Sequence, residues 1–170
     1  MLVDTGSGPL LPDAGNLFRC LRGERMDVRD IDVVILSHAH PDHIGGNLNA
    51  HGAPAFPNAR YVMLRAEWEY WMSDRPIAAP PSDEAREARM RAAARTNLSA
   101  VQAQLDLVDP EIEILEEVST VPAFGHTPGH MALDIASNGE RLLFAGDAII
   151  DPIDVEHPSR FPCSITSWNT

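Results

Sequence analysis

The chain contains the stretch Ser37-His38-Ala39-His40-Pro41-Asp42-His43-Ile44-Gly45-Gly46, in which three histidines and one aspartate lie within six residues. Imidazole nitrogens and carboxylate oxygens are the usual ligands of zinc and similar divalent metals, and ligands on one turn are partly positioned before a metal binds. In an extended segment the first two histidines face the same way, whereas the proline forces a turn that can aim the aspartate and the third histidine at a second metal. The stretch therefore predicts most of a two-metal site. The alternative is a polar loop whose histidines are solvated or act as caps.

The apolar run Ile31–Leu36 directly precedes this stretch and predicts a buried strand. The histidines then lie at the C-terminal end of that strand, where α/β proteins commonly place their functional sites. Short apolar or alternating runs predict the other strands, at residues 2–3, 61–64, 111–115, 118–123, 131–135 and 141–145. Asn138-Gly139 is a strong two-residue turn signal and joins the last two strands in a hairpin.

Three segments show helical signals. Residues 13–21 predict a short helix with Cys20 and Leu21 turned inward, and residues 67–72 predict one or two turns rich in aromatic residues. The tryptophans of the second segment fall at helical spacing, which is typical of core residues; a wall of a substrate pocket is the alternative.

A longer helical region is expected after the proline-rich loop at residues 75–81. Ser82 or Asp83 is placed to cap it, and one long helix or two extend to about Val108. The apolar residues between Leu98 and Val108 support this because they recur at i, i+3, i+7 and i+10.

Composition and charge limit the possible functions. The 170 residues suit one domain, and 44% hydrophobic with 22% charged residues is typical of a globular protein. The formal charge of -12 disfavours a nucleic-acid binder, since phosphate backbones require a basic surface, so we expect a small-molecule substrate. Cys20 and Cys163 are interpreted as ordinary thiols. The chain shows neither a membrane-spanning run nor a signal peptide, so the cytoplasm is the default compartment.

Two further ligand candidates lie at the ends of predicted elements, as the first four do. His126 lies in a glycine-bracketed Gly-His-Thr-Pro-Gly-His turn at residues 125–130, and Asp147 follows the strand at 141–145. Flanking glycines allow a backbone to approach a metal closely. Taken alone, each residue is equally well explained as part of a structural turn.

Together, these motifs resemble the metallo-β-lactamase superfamily. Its ordered signature is a strand-end Asp-Thr-Gly, a His-x-His-x-Asp-His loop, a later Gly-His turn and a strand-end aspartate, and this chain has all four in that order, from Asp4 to Asp147. The resemblance implies a single α/β domain over residues 1–170. Its fold would be the family's αβ/βα sandwich, two mixed sheets packed face to face with helices outside.

The resemblance also implies two divalent metals, with zinc expected and manganese, iron or cobalt as alternatives. The implied ligands are His38, His40 and His126 for one metal, Asp42 and His43 for the second, and Asp147 as a bridge between them. His130 is assigned to packing or to orienting its neighbours through a hydrogen bond. Asp4 is assigned a structural role, holding backbone near the metal loop.

The family pattern is incomplete in this chain. Members normally have strands before the Asp-Thr-Gly motif and a final metal-binding histidine well after the bridging aspartate. His157 is the only histidine after Asp147, and beside Pro158 it matches a His-Pro of relatives better than that last ligand. The resemblance therefore implies a truncated domain whose second metal is one ligand short.

The implied activity is hydrolysis by a metal-bridging hydroxide, which attacks an ester, lactone, thioester or phosphotriester. Asp42 and Asp147 take the catalytic roles, with Asp42 orienting the nucleophile or moving a proton. Residues 56–59, residues 67–71 and the Gly-His-Thr-Pro-Gly-His-Met run look like the branch that contains methyl parathion hydrolase and quorum-quenching lactonases. The best-known lactonases have a tyrosine three residues after the bridging aspartate, where this chain has Ile150.

Other functions stay open at this point. The same ligands serve glyoxalase-like thioesterases and the family's nucleases, of which the nucleases are disfavoured by the negative charge. A non-catalytic metal-binding or scaffold domain is an alternative from a different class, because the last ligand and the N-terminal strands are missing. The sequence does not decide between a monomer and a homodimer.

Overall fold

The strands form two sheets of four strands each. The computed structural model describes residues 1–10, 14–74 and 84–157. In spatial order, the first sheet contains β1 (Leu2–Val3), β2 (Val33–Ile35), β3 (Arg60–Leu64) and β4 (Leu105–Val108), all parallel. The second contains β5 (Glu113–Leu115), β6 (Val118–Pro122), β7 (Met131–Ser137) and β8 (Glu140–Phe144), all antiparallel.

Five α-helices lie in the described ranges: α1 (Leu17–Gly23), α2 (Pro41–Ile44), α3 (Arg65–Met72), α4 (Glu84–Val101) and α5 (Pro152–Glu156). Among these, no helix combines the length and the apolar character needed to cross a membrane.

The first sheet is buried on both faces because its central strands are apolar throughout. Side chains alternate between faces, so Val34 and Met63 join a core formed with α1, α3 and α4. Ile35 and Val62 point the other way and pack with residues of the second sheet such as Met131. The second sheet, the first sheet and the helices therefore form successive layers.

This arrangement confirms the αβ/βα sandwich and places every expected strand to within two residues. One detail differs, since each described sheet has a single strand direction instead of a mixture. The reason lies in the connections: parallel strands need crossovers, which long segments and helices provide between β1 and β4, whereas short turns join the antiparallel strands. Asn138 and Gly139 form one such turn, with positive φ angles of 51° and 81°.

The long helix expected up to Val108 is wrong at its C-terminal end. The helix α4 ends at Val101, and residues 105–108 form β4, which pairs in parallel with β3. Apolar spacing alone misled the prediction, because Leu98 and Val101 do lie on the buried side of α4 while Leu105 is partly buried as part of a strand. The hydrogen bonds offered by the neighbouring strand decide the conformation.

Two smaller expectations concern helix α1 and the aromatic helix α3. Cys20 is exposed, so its predicted inward position is wrong, whereas Leu21 is buried as expected. The aromatic helix does contribute to the core, since Trp71 is 1% exposed. After Asp147, Asp151 and Asp154 form a capping box that starts α5.

Some expectations fall outside the described residues. These are the loop at 75–81, the caps at Ser82 and Asp83, and Cys163.

Candidate metal centre

The histidine-rich stretch lies at the carboxyl edge of the first sheet. All strands of this sheet are parallel, so their carboxyl ends meet at one edge. His38 and His40 follow β2 in extended backbone, and α2 then begins at Pro41, a residue well suited to the first turn of a helix. His126 comes from the turn between β6 and β7, and Asp147 follows β8. The predicted position at a strand end is confirmed.

The first ligand group consists of His38, His40 and His126. The Nδ1 atom of His40 lies 3.0 Å from Nε2 of His38 and 2.8 Å from Nε2 of His126. Burial, reinforced by the neighbouring histidines, lowers the pKa of His40 to about 3 and lowers the pKa of His38 as well. Burial is also the main cause of the lowered pKa of His126. The rings are therefore neutral at physiological pH and keep the lone pairs that a metal needs.

The second ligand group consists of His38, His43 and Asp147. Oδ1 of Asp147 lies 3.2 Å from Nε2 of His43, and its Oδ2 lies 3.3 Å from Nε2 of His126. One carboxylate therefore faces both groups, as expected of a bridging residue. Burial opposes charge on His43, but hydrogen bonds to Asp147 and Asp4 outweigh it and raise the pKa of His43 to about 10. The hydrogen bond from His43 in turn lowers the pKa of Asp147.

Asp42 is the one implied ligand that the structure leaves apart. Its side chain is 58% exposed, and its Oδ2 lies 3.8 Å from Nε2 of His43. Neither group found among the described residues includes it, so five of the six implied ligands converge. Two other histidines, His51 and His157, are exposed and belong to neither group.

Asp4 orients two of the rings. Its carboxylate accepts hydrogen bonds from the backbone N–H and the hydroxyl of Ser37, both at 2.8 Å, and from Nδ1 of His43 at 2.9 Å. Since the Ser37 hydroxyl gives its only proton to Asp4, it accepts from Nδ1 of His38 at 3.1 Å. Both rings then carry a proton on Nδ1 and turn Nε2 towards the centre. The structural role expected of Asp4 is confirmed, and it extends to these rings.

His130 supports Asp147. It is completely buried, and its Nε2 accepts the backbone N–H of Asp147 at 3.1 Å. Burial lowers the pKa of His130 to about 4, so the ring stays neutral and can accept this bond. A Cβ atom at Gly146 would lie 2.8 Å from the same Nε2, so glycine is needed for this approach. The expected orienting role of His130 is confirmed.

Glu67 is the functional candidate that the sequence did not reveal. It is completely buried, and its carboxylate accepts four hydrogen bonds, three of them from the segments that carry the first ligand group. The one available signal was an acidic residue in a helical segment rich in aromatic residues, which is also compatible with a solvent-exposed position.

The donor set fits divalent metals. Three neutral imidazole nitrogens meet in a buried position, and a carboxylate lies between them and a fourth imidazole. Nitrogen donors with few carboxylates are typical of zinc, which has no strong geometric preference of its own.

Comparison with known proteins gives consistent results. Residues 1–169 match the family model described as the Metallo-beta-lactamase superfamily. An N-acyl homoserine lactonase from a Bacillus species is 27% identical over 125 residues, which cover 74% of this chain and 41% of that protein.

Solved structures show the same relationship. The dizinc quorum-quenching lactonase AidC, in complex with a product, N-hexnoyl-L-homoserine, matches with a TM-score of 0.79 and 32% identity, over 92% of this chain and 55% of that chain. The hydrolase AbOPH, of the beta lactamase superfamily, matches with a TM-score of 0.79 and 23% identity, over 86% of this chain and 51% of that chain. This chain therefore spans about half the length of the proteins it resembles.

Proposed function

This chain belongs to the metallo-beta-lactamase superfamily, and we propose that it acts as a metal-dependent hydrolase on a small ester, lactone, thioester or phosphotriester. The observation that carries the proposal is the position of Asp147. Its two carboxylate oxygens lie 3.2 Å and 3.3 Å from ring nitrogens of two different histidines, His43 and His126. A carboxylate between two ligand groups is what a two-metal hydrolytic centre requires.

We assign His38, His40 and His126 to one divalent metal and His43 with Asp147 to a second. Zinc is the proposed metal at both positions, and manganese, iron or cobalt are the alternatives. When bound, such a pair of metals supplies a hydroxide nucleophile by lowering the pKa of a shared water towards ~7, and it polarises the substrate oxygen that develops charge.

The protein's own residues then control orientation and proton movement. Asp147 is fixed at its backbone by His130, so its carboxylate keeps its place between the two groups. Asp42 is proposed as a further ligand of the second metal through one oxygen. Its other oxygen is available at the exposed rim of the site to orient the nucleophile or to take up a proton.

The relatives favour a lactone within the proposed substrate classes, since two of the similar proteins are lactonases. Ile150 is 71% exposed and offers no hydroxyl group where the best-known lactonases have tyrosine. A lactone bound here must therefore be oriented by other groups. The formal charge of -12 supports a small molecule over a nucleic acid as the substrate.

A non-catalytic metal-binding domain is the second candidate. It is favoured by the position of Asp42 outside both ligand groups.

Metal analysis and turnover measurements distinguish the two functions. We expect wild-type protein to carry two metals per chain and to hydrolyse p-nitrophenyl acetate, a lactone or paraoxon. Replacement Asp147→Asn should reduce that turnover by ~100-fold or more, because it removes the negative charge shared by the two groups. His51→Ala, in an exposed loop away from both groups, is the matched control and should leave turnover unchanged.

Two results would contradict the proposal. Metal-loaded wild type that turns over none of these substrates faster than Asp147→Asn would support the non-catalytic domain. Protein that binds no metal at all would exclude both candidates.

A further inference from the structure

Glu67 links the two segments that contribute the first ligand group. Its Oε1 accepts the backbone N–H of Ala39 at 2.9 Å and the indole N–H of Trp71 at 2.6 Å. Its Oε2 accepts the hydroxyl of Thr127 at 2.7 Å and the backbone N–H of Gly129 at 2.9 Å. One buried carboxylate thus holds donors from the histidine-rich stretch, from its own helix and from the turn before β7.

These contacts lie immediately beside the proposed ligands. Ala39 stands between His38 and His40, and Thr127 directly follows His126. The ring nitrogens of His40 and His126 approach to 2.8 Å although the residues are 86 positions apart in the sequence. The Glu67 carboxylate therefore connects the segment of His38 and His40 to the turn of His126. The distance between these two segments determines whether the three histidine nitrogens converge.

The helix that carries Glu67 is itself fixed at both ends. At its start, a Cβ atom on Gly129 would lie 2.1 Å from the backbone nitrogen of Glu67, so the turn packs directly against the helix backbone. At its end, Arg91 and Arg95 of α4 donate hydrogen bonds to the carbonyl of Trp71 at 3.1 Å and 3.2 Å. The carboxylate is thus presented from a rigid position.

Packing alone does not account for an acid at this place. A carboxylate loses its hydration when it is buried, and an apolar side chain of similar volume would fill the space without that cost. A carboxylate offers about four acceptor positions, and here four donors use them. What the acid adds is a fixed acceptor geometry towards two separate segments.

We propose that Glu67 is a positioning residue that sets the distance between the segment of His38 and His40 and the turn of His126, and so the geometry of the first metal site. This inference rests on the proposed function only in taking these three histidines as metal ligands.

The test compares Glu67→Gln with Glu87→Gln. Both residues are buried glutamates, but Glu87 lies on α4 and belongs to neither ligand group. Glutamine keeps the size of the side chain yet directs an NH2 group at donors that need an acceptor. Zinc affinity is measured by competition with a chelator, the geometry by the visible spectrum of the cobalt-substituted protein, and the fold by thermal unfolding of metal-free protein.

We expect Glu67→Gln to lower zinc affinity by about 10- to 100-fold, the usual effect of removing a residue that orients ligands. Its cobalt spectrum should also change in band position. Glu87→Gln should keep the wild-type zinc affinity and cobalt spectrum, even if its unfolding temperature falls by as much as that of Glu67→Gln. If Glu67→Gln lowers only the unfolding temperature and leaves affinity and spectrum unchanged, the inference is overturned.

Two additional variants make every outcome informative. Should Glu67→Gln fail to fold, Thr127→Val removes one of the four donors with little change in shape, and it should lower zinc affinity in the same direction by a smaller factor. His40→Ala tests the ligand assignment itself. If it leaves affinity unchanged, the proposed function fails together with the inference, whereas loss of zinc in His40→Ala with no change in Glu67→Gln and Thr127→Val removes the inference alone.

Discussion

The two ligand groups are held together by different forces. In the first, neutral imidazoles converge in a buried place and are aligned by a carboxylate outside the group, Glu67. In the second, His43 lies between the carboxylates of Asp4 and Asp147 and is held by charge. Shape and burial thus organise one site before any metal arrives, whereas a proton on His43 takes part in organising the other. The first group would therefore be preformed for a metal, whereas metal binding at the second group would require the release of a proton.

The largest expected effect of this difference is on the pH dependence of metal binding. Because the pKa of His43 is raised to about 10, binding at the second group has to release a proton. Second-site affinity should therefore rise by about tenfold per pH unit between pH 6.5 and 8.5, or ~100-fold in all. First-site affinity should stay flat, since the pKa of His40 is lowered to about 3 and there is no proton to displace.

Calorimetric titration with zinc in two buffers of different ionisation enthalpy measures these protons directly. At pH 6, below the ~7 at which the shared water loses its own proton, about one proton per metal is expected for the second binding event and about none for the first. Equal proton release in the two binding events would contradict the proposed difference between a neutral first group and a protonated second group.

The next effect concerns the stability of metal-free protein. The raised pKa of His43 contributes stability that is complete below its unfolded value of 6.5 and is lost as the pH rises towards about 10. The lowered pKa values of His40 and His130 act in the opposite direction. Below pH 6.5 these histidines bind protons in the unfolded chain but stay neutral in the folded protein, so a falling pH destabilises the fold. Metal-free protein should therefore be most stable near pH 6.5.

Urea unfolding at three pH values tests this expectation. The free energy of unfolding should fall by about 2 kcal/mol from pH 6.5 to about pH 8.5, and it should also fall from pH 6.5 to about pH 5. In His43→Gln the alkaline decrease should disappear while the acid decrease remains. A stability that rises steadily with pH would contradict the charged state assigned to His43.

The smallest effect is expected from Asp4→Asn. The positive φ of 54° at this position suits asparagine, and its amide oxygen can still accept the backbone N–H of Ser37. Its NH2 group, however, cannot accept the hydrogen bond from Nδ1 of His43. Metal affinity at the second group should therefore fall by about tenfold, with a lesser change at the first group. Asp27→Asn, at an exposed helix cap, is the control and should change neither affinity. A larger loss at the first site than at the second would show that Asp4 acts mainly through Ser37 and His38.

The sequence predicted the parts of the site that are local. The histidine-rich stretch supplies its own spacing, and the preceding apolar strand indicates where it lies, so its position at a sheet edge could be predicted. Seven of the eight described strands were also predictable, because alternation and the Asn138-Gly139 turn are encoded within a few residues.

The parts that depend on distant contacts were not predictable. Residues 105–108 satisfy helical spacing and become a strand only because β3 is available to pair with them. Glu67 looks like a surface residue until the turn at Thr127 packs on it. The exposure of Asp42 on α2 was not predicted either, and its place among the ligands stays a prediction.

The 86 positions between His40 and His126 also relate the site to the order of folding. His38 and His40 are close in sequence and therefore lie near each other even in the unfolded chain. His126 joins them only after a long loop has closed and the second sheet has packed on the first. Closing such a loop has an entropic cost, and contacts this distant in sequence form slowly compared with local ones. If the first group binds zinc as proposed, tight uptake would signal that this long-range contact has formed, and a chelating dye that follows free zinc during refolding would time it.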